Sequence, residues 1–319
     1  IKNQYLALFM NKIKIISVNI SEKKGTVKHP VDSITLNKTG VLNDAHSGNW
    51  HRQVSLLGTE SIHKFSKESN RAIKYGEFAE NITTQGIILH HSNILDRFQV
   101  GNIVLEVTQI GKKCHGDSCA IFREVGNCIM PKEGIFCRVI QGGTLKANDE
   151  MIYLPKIFKI GIITLSDRAS KGEYEDKSGP QIKERLTSFF QEIKYPVHID
   201  YSLIPDDQVL LKNTLTNYTK QHFDFIFTTG GTGIGSKDFT VDVVKPMLEK
   251  EIPGIMEFIR NKYGSEKPNA LISRSVAGTI QKTIIFTLPG SVKAVNEYMA
   301  EITNVMKHLS YMIHDLDTH

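Results

Sequence analysis

Three short segments in the second half of the chain carry side chains suited to phosphate and magnesium chemistry. A glycine-rich turn, Thr228-Thr229-Gly230-Gly231-Thr232-Gly233, directly follows an apolar run. Glycines at the end of a strand let backbone N–H groups approach a phosphate closely. Aspartates that follow other apolar runs, among them Asp206 and Asp238, carry the kind of carboxylate oxygens that Mg²⁺ prefers when it bridges nucleotide phosphates. These residue types predict a site for a nucleotide bound together with Mg²⁺.

The glycine-rich turn does not match two common nucleotide-binding motifs. A dinucleotide fingerprint requires a third glycine where Ser236 stands, and a Walker A loop requires Gly-Lys-Ser/Thr, which Gly235-Ser236-Lys237 does not supply. The turn alone is equally compatible with a tight structural turn. Asp206 also has a second interpretation, as the N-cap of a helix predicted to follow it. The residues themselves leave both alternatives open.

The second half alternates strand-like apolar runs with amphipathic helices, which predicts βαβ units around a mostly parallel sheet. The strands are expected at Ile157–Leu165, Val197–Ile204, Phe223–Phe227 and Thr283–Leu288. The helices are expected at Pro180–Phe190, Gln208–Gln221, Ile252–Lys262 and Val292–His308. Because ligands of open α/β sheets bind where parallel strands end, we expect the polar segments after these strands to meet at one edge.

The first half consists mainly of short β-runs with glycine-containing turns, which favours a β-barrel. The runs include Ile13–Ile20, Ile87–His91, Ile103–Gln109 and Ile135–Ile140, with one helix expected from Thr59 to Lys74. The change of pattern near residues 150–156 predicts two domains, residues 10–154 and residues 155–319. Residues 1–9 precede Met10, which has the features of a natural start, and are expected to be an upstream remnant.

Composition excludes several classes of protein. The 319 residues are 40% hydrophobic and 23% charged, which excludes fibrous and wholly disordered chains. No apolar run approaches the roughly 20 residues that span a bilayer, so no membrane partner is expected. The net charge of +5 suits anionic ligands, but no dense Lys/Arg tract is present and no nucleic-acid partner is expected. The small number of cysteines favours a reducing, cytoplasmic location.

All four cysteines lie in the first half, between Cys114 and Cys137. Their spacing contains no C-x2-C pair, so a structural zinc site is a poor match. Cys114 lies beside Lys112, Lys113 and His115, and neighbouring cations favour the thiolate form of a cysteine. A reactive thiol and an exposed loop cysteine without a role are both compatible with this pattern.

Seven segments of the second half occur in an order and at spacings that resemble the MoaB/Mog family. They are Ser166-Asp167-Arg168-Ala169-Ser170, Ile204-Pro205-Asp206, the turn from Thr228 to Gly233, Asp238-Phe239-Thr240-Val241-Asp242, Glu251-Ile252-Pro253-Gly254, Ser273-Arg274 and Leu288-Pro289-Gly290-Ser291. The resemblance covers residues 157–309 and implies a three-layer α/β molybdopterin-binding domain. It also implies molybdopterin adenylyltransferase activity, in which the molybdopterin phosphate attacks Mg-bound ATP and displaces pyrophosphate. A homotrimer and a molybdenum-insertion partner are further expectations.

The same resemblance assigns roles to individual residues. Asp206 and Asp238 would act as catalytic residues that hold Mg²⁺ and the reacting phosphates. Phosphate contacts are implied for Thr228, Thr229, Gly230, Gly231, Thr232 and Gly233, and pterin contacts for Ser273 and Arg274. Lining positions are implied for Ser166, Asp167, Thr240, Pro289 and Gly290. The sequence departs from the family pattern at Asp207, where Glu is expected, and at Val241, where the active type often has Pro.

Four segments of the first half resemble a MOSC domain, a β-barrel module, over residues 25–152. They are Gly40–His46, Trp50–Leu57, Gly76–Thr83 and Cys128–Phe136. This resemblance implies cofactor binding or carriage of sulfur as a cysteine persulfide, with Cys114 in the family's cysteine position and Cys119 as a candidate resolving partner. Together the two halves predict a protein of molybdenum cofactor biosynthesis. The alternative is a non-catalytic molybdopterin carrier in which the MOSC domain is a docking module.

Overall fold

The computed structural model describes residues 12–113 and 128–316, and these residues form two compact units that divide between Lys156 and Ile157. Cys114, His115 and Cys119 lie outside the described residues. Among the helices of the described residues, none is both long and apolar enough to cross a bilayer.

The first unit is built around a closed β-barrel, as expected from its short β-runs. Its strands are β1 (Lys12–Ile20), β2 (His29–Val31), β3 (Ser33–Asn37), β4 (Gly40–Val41), β5 (Val54–Gly58), β6 (Ile82–Gln85), β7 (Arg97–Val100), β8 (Ile103–Ile110), β9 (Ile135–Gln141), β10 (Gly143–Lys146) and β11 (Glu150–Leu154). The ring runs β11-β7-β8-β9-β5-β6-β1 and closes because β1 also pairs with β11. Strand β2 pairs antiparallel with the last residues of β1, and β10, β3 and β4 form a separate three-stranded sheet.

Alternating side chains fill the barrel. In β3, Ile34 and Leu36 are buried while the residues between and beside them are exposed, which is the pattern of a strand with one face on a core. The helices of this unit are α1 (Thr59–Ser69) and α2 (Met130–Glu133). Helix α1 ends five residues before the expected Lys74, because Asn70 adopts a left-handed conformation (φ 49°) and its N–H bonds Ser66 O.

One predicted strand of the first half is wrong. The run Ile87–His91 forms a 3₁₀ turn over Leu89–His91. Leu89 is buried, whereas Ile88 before it is 42% exposed. The run therefore buries a single side chain in a turn between β6 and β7 and offers no face to a neighbouring strand.

Among the buried charged residues of the first unit are Lys28, Asp44 and Glu80. Lys28 forms an ion pair with Asp44, and both side chains are almost completely excluded from solvent. Glu80 is fully buried and accepts hydrogen bonds from Gly76 N (2.6 Å) and Thr83 Oγ1 (3.0 Å) through Oε1. Burial raises the pKa of Glu80 from 4.5 to about 7.

The raised pKa of Glu80 predicts a specific pH dependence of stability. The folded state favours the protonated form of Glu80. The contribution of this protonated side chain to the free energy of unfolding is therefore complete below pH 4.5 and is lost as the pH rises through about 7. A shift of this size corresponds to about 3 kcal/mol. We expect Glu80→Gln to remove most of this loss, as measured by urea unfolding between pH 5 and pH 8. The exposed Glu22→Gln is the control, and a wild-type-like pH profile in Glu80→Gln would disprove the assignment.

The second unit is an α/β domain. Its strands are β12 (Phe158–Leu165), β13 (Val197–Ile204), β14 (Phe225–Thr229), β15 (Lys250–Glu251), β16 (Ala277–Ile280) and β17 (Thr283–Leu288). Its helices are α3 (Asp167–Ser170), α4 (Ser178–Glu192), α5 (Gln208–Lys220), α6 (Thr240–Val244), α7 (Pro253–Gly264) and α8 (Val292–Ile313). Short 3₁₀ helices cover Lys245–Met247 and Pro268–Ile272.

The six strands of this unit form one sheet in the order β13-β12-β14-β17-β16-β15. Strands β13, β12, β14 and β17 are parallel, whereas β16 and β15 join antiparallel at one edge. Apolar side chains on successive residues, such as Ile162 and Ile163, point to opposite faces, and both are fully buried. Strand β14 begins two residues later than expected and includes Thr228 and Thr229, so it leads directly into the glycine-rich turn.

Candidate functional site

The ends of four strands place the predicted site segments at one edge of the sheet. Leu165 pairs with Ile204, Thr164 with Thr229, and Thr229 with Leu288 in the parallel register. The residues that follow these positions therefore emerge side by side. They are Ser166, Pro205, Gly230 and Pro289. The edge is the position at which open α/β sheets bind ligands.

The glycine-rich turn has a backbone conformation that requires glycine at two positions. Gly230 has φ +102°, and a Cβ there would lie 2.6 Å from Leu165 O. Gly231 has φ +64°, and a Cβ there would lie 2.5 Å from Thr240 Oγ1. Thr240 fixes the turn, since its N–H donates to Gly231 O (3.0 Å) and its hydroxyl donates to Gly230 O (2.8 Å). The turn is held in a defined shape with its backbone close to the strand ends.

This geometry predicts that Gly230→Ala is destabilising. The new methyl group would meet backbone Leu165 O in a left-handed conformation, which costs roughly 1–3 kcal/mol. Thermal unfolding of Gly230→Ala and of Gly254→Ala measures the effect. Gly254 lies in α7, and a methyl group added there would have nothing within 4 Å, so that control should unfold close to the wild type. Equal midpoints for the two variants would contradict the steric argument.

Asp167 and Asp206 are linked by reciprocal hydrogen bonds. Asp167 N donates to Asp206 Oδ2 (3.1 Å), and Asp206 N donates to Asp167 Oδ1 (3.0 Å). The second oxygen of Asp167 accepts Lys237 Nζ at 3.0 Å. This hydrogen bond from Lys237, together with the Asp206 backbone, holds the pKa of Asp167 below its usual value. Two carboxylates and one ammonium group are thus brought together at the sheet edge.

The helix after β13 is capped by Asp207. Its Oδ1 accepts Leu210 N at 2.8 Å, and α5 begins at Gln208. The interpretation of Asp206 as this N-cap is therefore wrong by one residue. The carboxylate of Asp206 instead accepts Asp167 N, at the edge of the sheet where the strands end.

The loop that carries Asp238 is fixed mainly by Arg274. Asp238 Oδ2 accepts Gly235 N at 2.8 Å, which closes a tight turn. Arg274 donates from Nε to Gly233 O (2.7 Å), from Nη2 to Asp238 O, and from Nη1 and Nη2 to the Asp242 carboxylate (2.8 and 2.9 Å). The ion pair raises the pKa of Arg274. All three guanidinium nitrogens thus bind the protein itself, and contact of Arg274 with a pterin stays a prediction.

Most of the other predicted site residues at this edge of the sheet form hydrogen bonds within the protein. Ser273 Oγ accepts a hydrogen bond from Tyr298 OH (3.0 Å) and lies 2.9 Å from Ser275 Oγ. Thr229 Oγ1 donates to Pro289 O at 2.8 Å. Thr228 is fully buried, and within the described residues its hydroxyl has no hydrogen-bond partner. Thr232 is 4% exposed, and Arg274 N donates to its carbonyl oxygen (2.9 Å).

A cavity of about 500 Å³ opens beside these strand ends. Three predicted residues line it, namely Ser166, Thr229 and Gly290. Sequence reasoning missed the rest of its polar wall, which includes Thr164, Tyr174, Asp176 and Ser178. Tyr174 OH lies 3.0 Å from Ser166 Oγ.

Asp176 organises the missed wall of the cavity. Its carboxylate accepts hydrogen bonds from Thr164 Oγ1 (2.8 Å), Tyr201 OH (2.7 Å), Ser178 N (2.9 Å) and Gly179 N (3.1 Å). Burial and the bond to Asp176 raise the pKa of Tyr201 to about 12. Asp176 stands one residue before the N-cap of α4, so the usual capping position does not identify it, and its partners Thr164 and Tyr201 lie on two strands of the sheet.

The donor set fits a magnesium ion that arrives with its nucleotide. Within residues 12–113 and 128–316, no group of three or more His, Cys, Asp or Glu side chains is arranged to hold a metal ion. Magnesium usually takes one or two carboxylates and completes its coordination with substrate phosphates and water. The candidates for such a role are Asp206, whose carboxylate contacts Asp167 N, and Asp238, whose carboxylate contacts Gly235 N beside the glycine-rich turn.

The candidate functional residues of the first unit are its cysteines and the polar residues near Trp50 and Asp44. Cys114 lies outside the described residues. Cys137 is buried in β9, and burial raises the pKa of its thiol, which makes it unreactive. The Arg52 guanidinium lies 4.8 Å from the centre of the Trp50 ring. His46 Nδ1 lies 3.6 Å from Asp44 Oδ1, so this histidine contacts the buried ion pair.

Comparison with known proteins separates the two units in the same way. The family model described as a probable molybdopterin binding domain matches residues 161–308, and that of the MOSC domain matches residues 43–152. A molybdopterin adenylyltransferase of Pyrococcus furiosus is 37% identical over 162 residues, which are 48% of this chain and 92% of that protein. Molybdenum cofactor biosynthesis protein B of Staphylococcus carnosus is 36% identical and covers 52% of this chain and 94% of its own. The crystal structure of the tungsten cofactor synthesizing protein MoaB from Pyrococcus furiosus matches 51% of this chain and 99% of its own, with 36% identity and a TM-score of 0.45.

Proposed function

The chain belongs, through its second unit, to the molybdopterin-binding family that includes the molybdopterin adenylyltransferases, and we propose that this unit transfers AMP from ATP to the phosphate of molybdopterin. The protein acts in molybdenum cofactor biosynthesis. The observation that carries the proposal is the convergence of Asp206, the Asp238 loop and the glycine-rich turn on one edge of the sheet.

The proposed reaction is a displacement at the α-phosphorus of ATP. An oxygen of the molybdopterin phosphate forms a bond to this phosphorus. The bond from the phosphorus to the oxygen that bridges to the β-phosphate breaks, and pyrophosphate leaves with the electron pair. Such a reaction needs positioning and neutralisation of charge rather than a covalent nucleophile on the protein.

Different residues of the site would bind the metal, bind the phosphates and hold the Asp238 loop in position. The carboxylates of Asp206 and Asp238 would hold Mg²⁺, which when bound neutralises phosphate charge. The backbone from Gly231 to Gly233 would bind phosphate oxygens at the ligand edge, since the Gly230 N–H before it already donates to Leu288 O. Arg274 holds Asp238 in place through Asp238 O and Gly233 O. The polar cavity next to Ser166 and Asp176 offers room for one of the two heterocycles.

Further features are part of the same proposal. The three-layer arrangement is supported by contacts of α4 with β12, β13 and β14 and of α8 with β17, while α5 and α6 contribute to a separate core cluster around Ile163 and Ile226.

For the first unit we propose binding of the cofactor or carriage of sulfur on Cys114, on the basis of its MOSC match. A homotrimer, a molybdenum-insertion partner and a cytoplasmic location complete the proposal.

The test of the function is substrate-dependent release of pyrophosphate. Purified protein with Mg-ATP and molybdopterin should release pyrophosphate, and omission of molybdopterin should abolish the release. The alternative function is a carrier that binds molybdopterin without chemistry. Tight molybdopterin binding without pyrophosphate release would favour the carrier and reject the enzyme.

A further inference from the structure

Lys237 is a basic residue of the site to which neither the family resemblance nor the proposed function assigns a role. It lies in the loop between the glycine-rich turn and Asp238, and its side chain is 77% exposed. Residues 234–237 of this loop are exposed, and Gly233 and Gly235 give its backbone conformational freedom. The ammonium group reaches across to Asp167 Oδ2 at 3.0 Å.

The contact of Lys237 with Asp167 is easily exchanged. An exposed ion pair contributes little to stability, because water competes for both charges and a long side chain loses freedom when it is held. Asp167 retains its backbone bond from Asp206 whether or not Lys237 is present. The negative charge of Asp206 also acts on Lys237, so the ammonium lies within the field of both carboxylates.

Two other basic side chains near this edge, Arg274 and Arg168, make contacts of a different kind. Arg274 binds Asp242 with two nitrogens and two backbone carbonyls of the Asp238 loop. The Arg168 guanidinium lies 5.2 Å from the centre of the Tyr174 ring. Lys237 differs from them, because a flexible four-carbon stem carries its point charge on an exposed loop next to Asp238.

We propose that Lys237 leaves Asp167 when Mg-ATP binds and contacts the β- and γ-phosphate oxygens, where it stabilises the departing pyrophosphate. This inference rests on the proposed function. During the reaction the electron pair of the broken phosphorus–oxygen bond moves onto the β-phosphate. A positive group held there is more favourable in the transition state than before bond cleavage, so it accelerates the reaction. Mg²⁺ held by Asp206 would at the same time place positive charge near Asp167, which would then lose less when Lys237 leaves it.

The test compares Lys237→Met with Lys237→Arg and with Lys307→Met. Lys307 is an exposed residue 15 positions along α8 from Val292, or about 22 Å, so its loss matches the change in charge away from the site. We expect Lys237→Met to lower kcat for AMP transfer by about 10²-fold. KM for molybdopterin should not change, because the lysine contacts the other substrate. Lys237→Arg should retain most of the rate.

Binding measurements add a readout that does not depend on turnover. Calorimetry with magnesium pyrophosphate alone should show about 10-fold weaker binding to Lys237→Met than to the wild type or Lys307→Met, since one charged contact is lost. Equal pyrophosphate affinity in all three proteins would overturn the proposal.

A second variant separates contact with phosphate from simple neutralisation of Asp167. If Lys237 acted only by shielding that carboxylate, Lys237→Met with Asp167→Asn would recover the rate lost in Lys237→Met. On our proposal the double variant is no faster than Lys237→Met. Failure of the proposed function looks different, because the wild type itself would then form no adenylylated product.

Discussion

Asp238→Asn should lower the rate of AMP transfer by at least roughly 10²–10³-fold while the protein stays folded. The Asn side chain has nearly the same size, and its Oδ1 can still accept the hydrogen bond that Gly235 N donates to Asp238 Oδ2. Arg274 contacts Asp238 through the backbone carbonyl, which the substitution does not alter. The change therefore removes the negative charge available to Mg²⁺ and preserves the loop. Single-turnover formation of adenylylated molybdopterin measures the effect.

The control for Asp238→Asn removes one carboxylate elsewhere in the same unit. Asp200 lies in the interior of β13, where it pairs with His198 on an exposed surface. We expect Asp200→Asn to keep the wild-type rate. Raising Mg²⁺ should restore part of the activity of Asp238→Asn if the lost charge binds the metal. A rate within twofold of the wild type in Asp238→Asn would contradict the assignment.

Lys28→Met should destabilise the first unit by about 3–5 kcal/mol. The ammonium of Lys28 and the carboxylate of Asp44 are buried together, with solvent exposures of 1% and 0%. Burial disfavours the charge of Asp44, yet hydrogen bonds from His46 and Lys28 outweigh it and hold the pKa of Asp44 below its usual value. Removal of Lys28 leaves this buried carboxylate without its ammonium partner, while Ser21 N and His46 N still donate to it. Trp50, the single tryptophan of the chain, lies in this unit and reports its urea unfolding by fluorescence.

Two further variants test the cause of this loss. Lys28→Met combined with Asp44→Leu removes both charges, and replacement of a whole buried ion pair by apolar groups is often nearly neutral. The double variant should therefore recover most of the stability lost in Lys28→Met. Lys64→Met breaks the exposed pair with Glu133 and should leave the unfolding midpoint almost unchanged. Equal midpoints for Lys28→Met and Lys64→Met would show that the buried pair does not support the barrel.

Local patterns in the sequence predicted the longer strands and helices of the second unit, because long elements carry a recognisable pattern of apolar residues. Strands Val197–Ile204 and Thr283–Leu288 have the expected bounds. The antiparallel edge strands β15 and β16 were missed, since two and four residues are too few for a periodic pattern. Closure of the barrel depends on pairing of Lys14 with Glu150, and no local pattern reports a contact at that separation.

The candidate site shows the same division between local and tertiary information. The glycine-rich turn was identified because glycines after a strand have a local meaning, and Gly230 does adopt a conformation that favours glycine. The Asp176 wall was missed, because its meaning depends on Thr164 and Tyr201 from two neighbouring strands. The sequence offered Asp206 as the cap of α5, and the hydrogen bond from Leu210 N to Asp207 Oδ1 shows that the cap is the next residue.

The most direct test of AMP transfer is mass spectrometry of molybdopterin after incubation with the protein and Mg-ATP. We expect a product heavier than molybdopterin by one adenylyl group, formed in proportion to pyrophosphate and absent when Asp238→Asn replaces the wild type. Unmodified molybdopterin recovered in complex with the wild-type protein, in the presence of Mg-ATP, would contradict the proposed reaction and identify the second unit as a carrier.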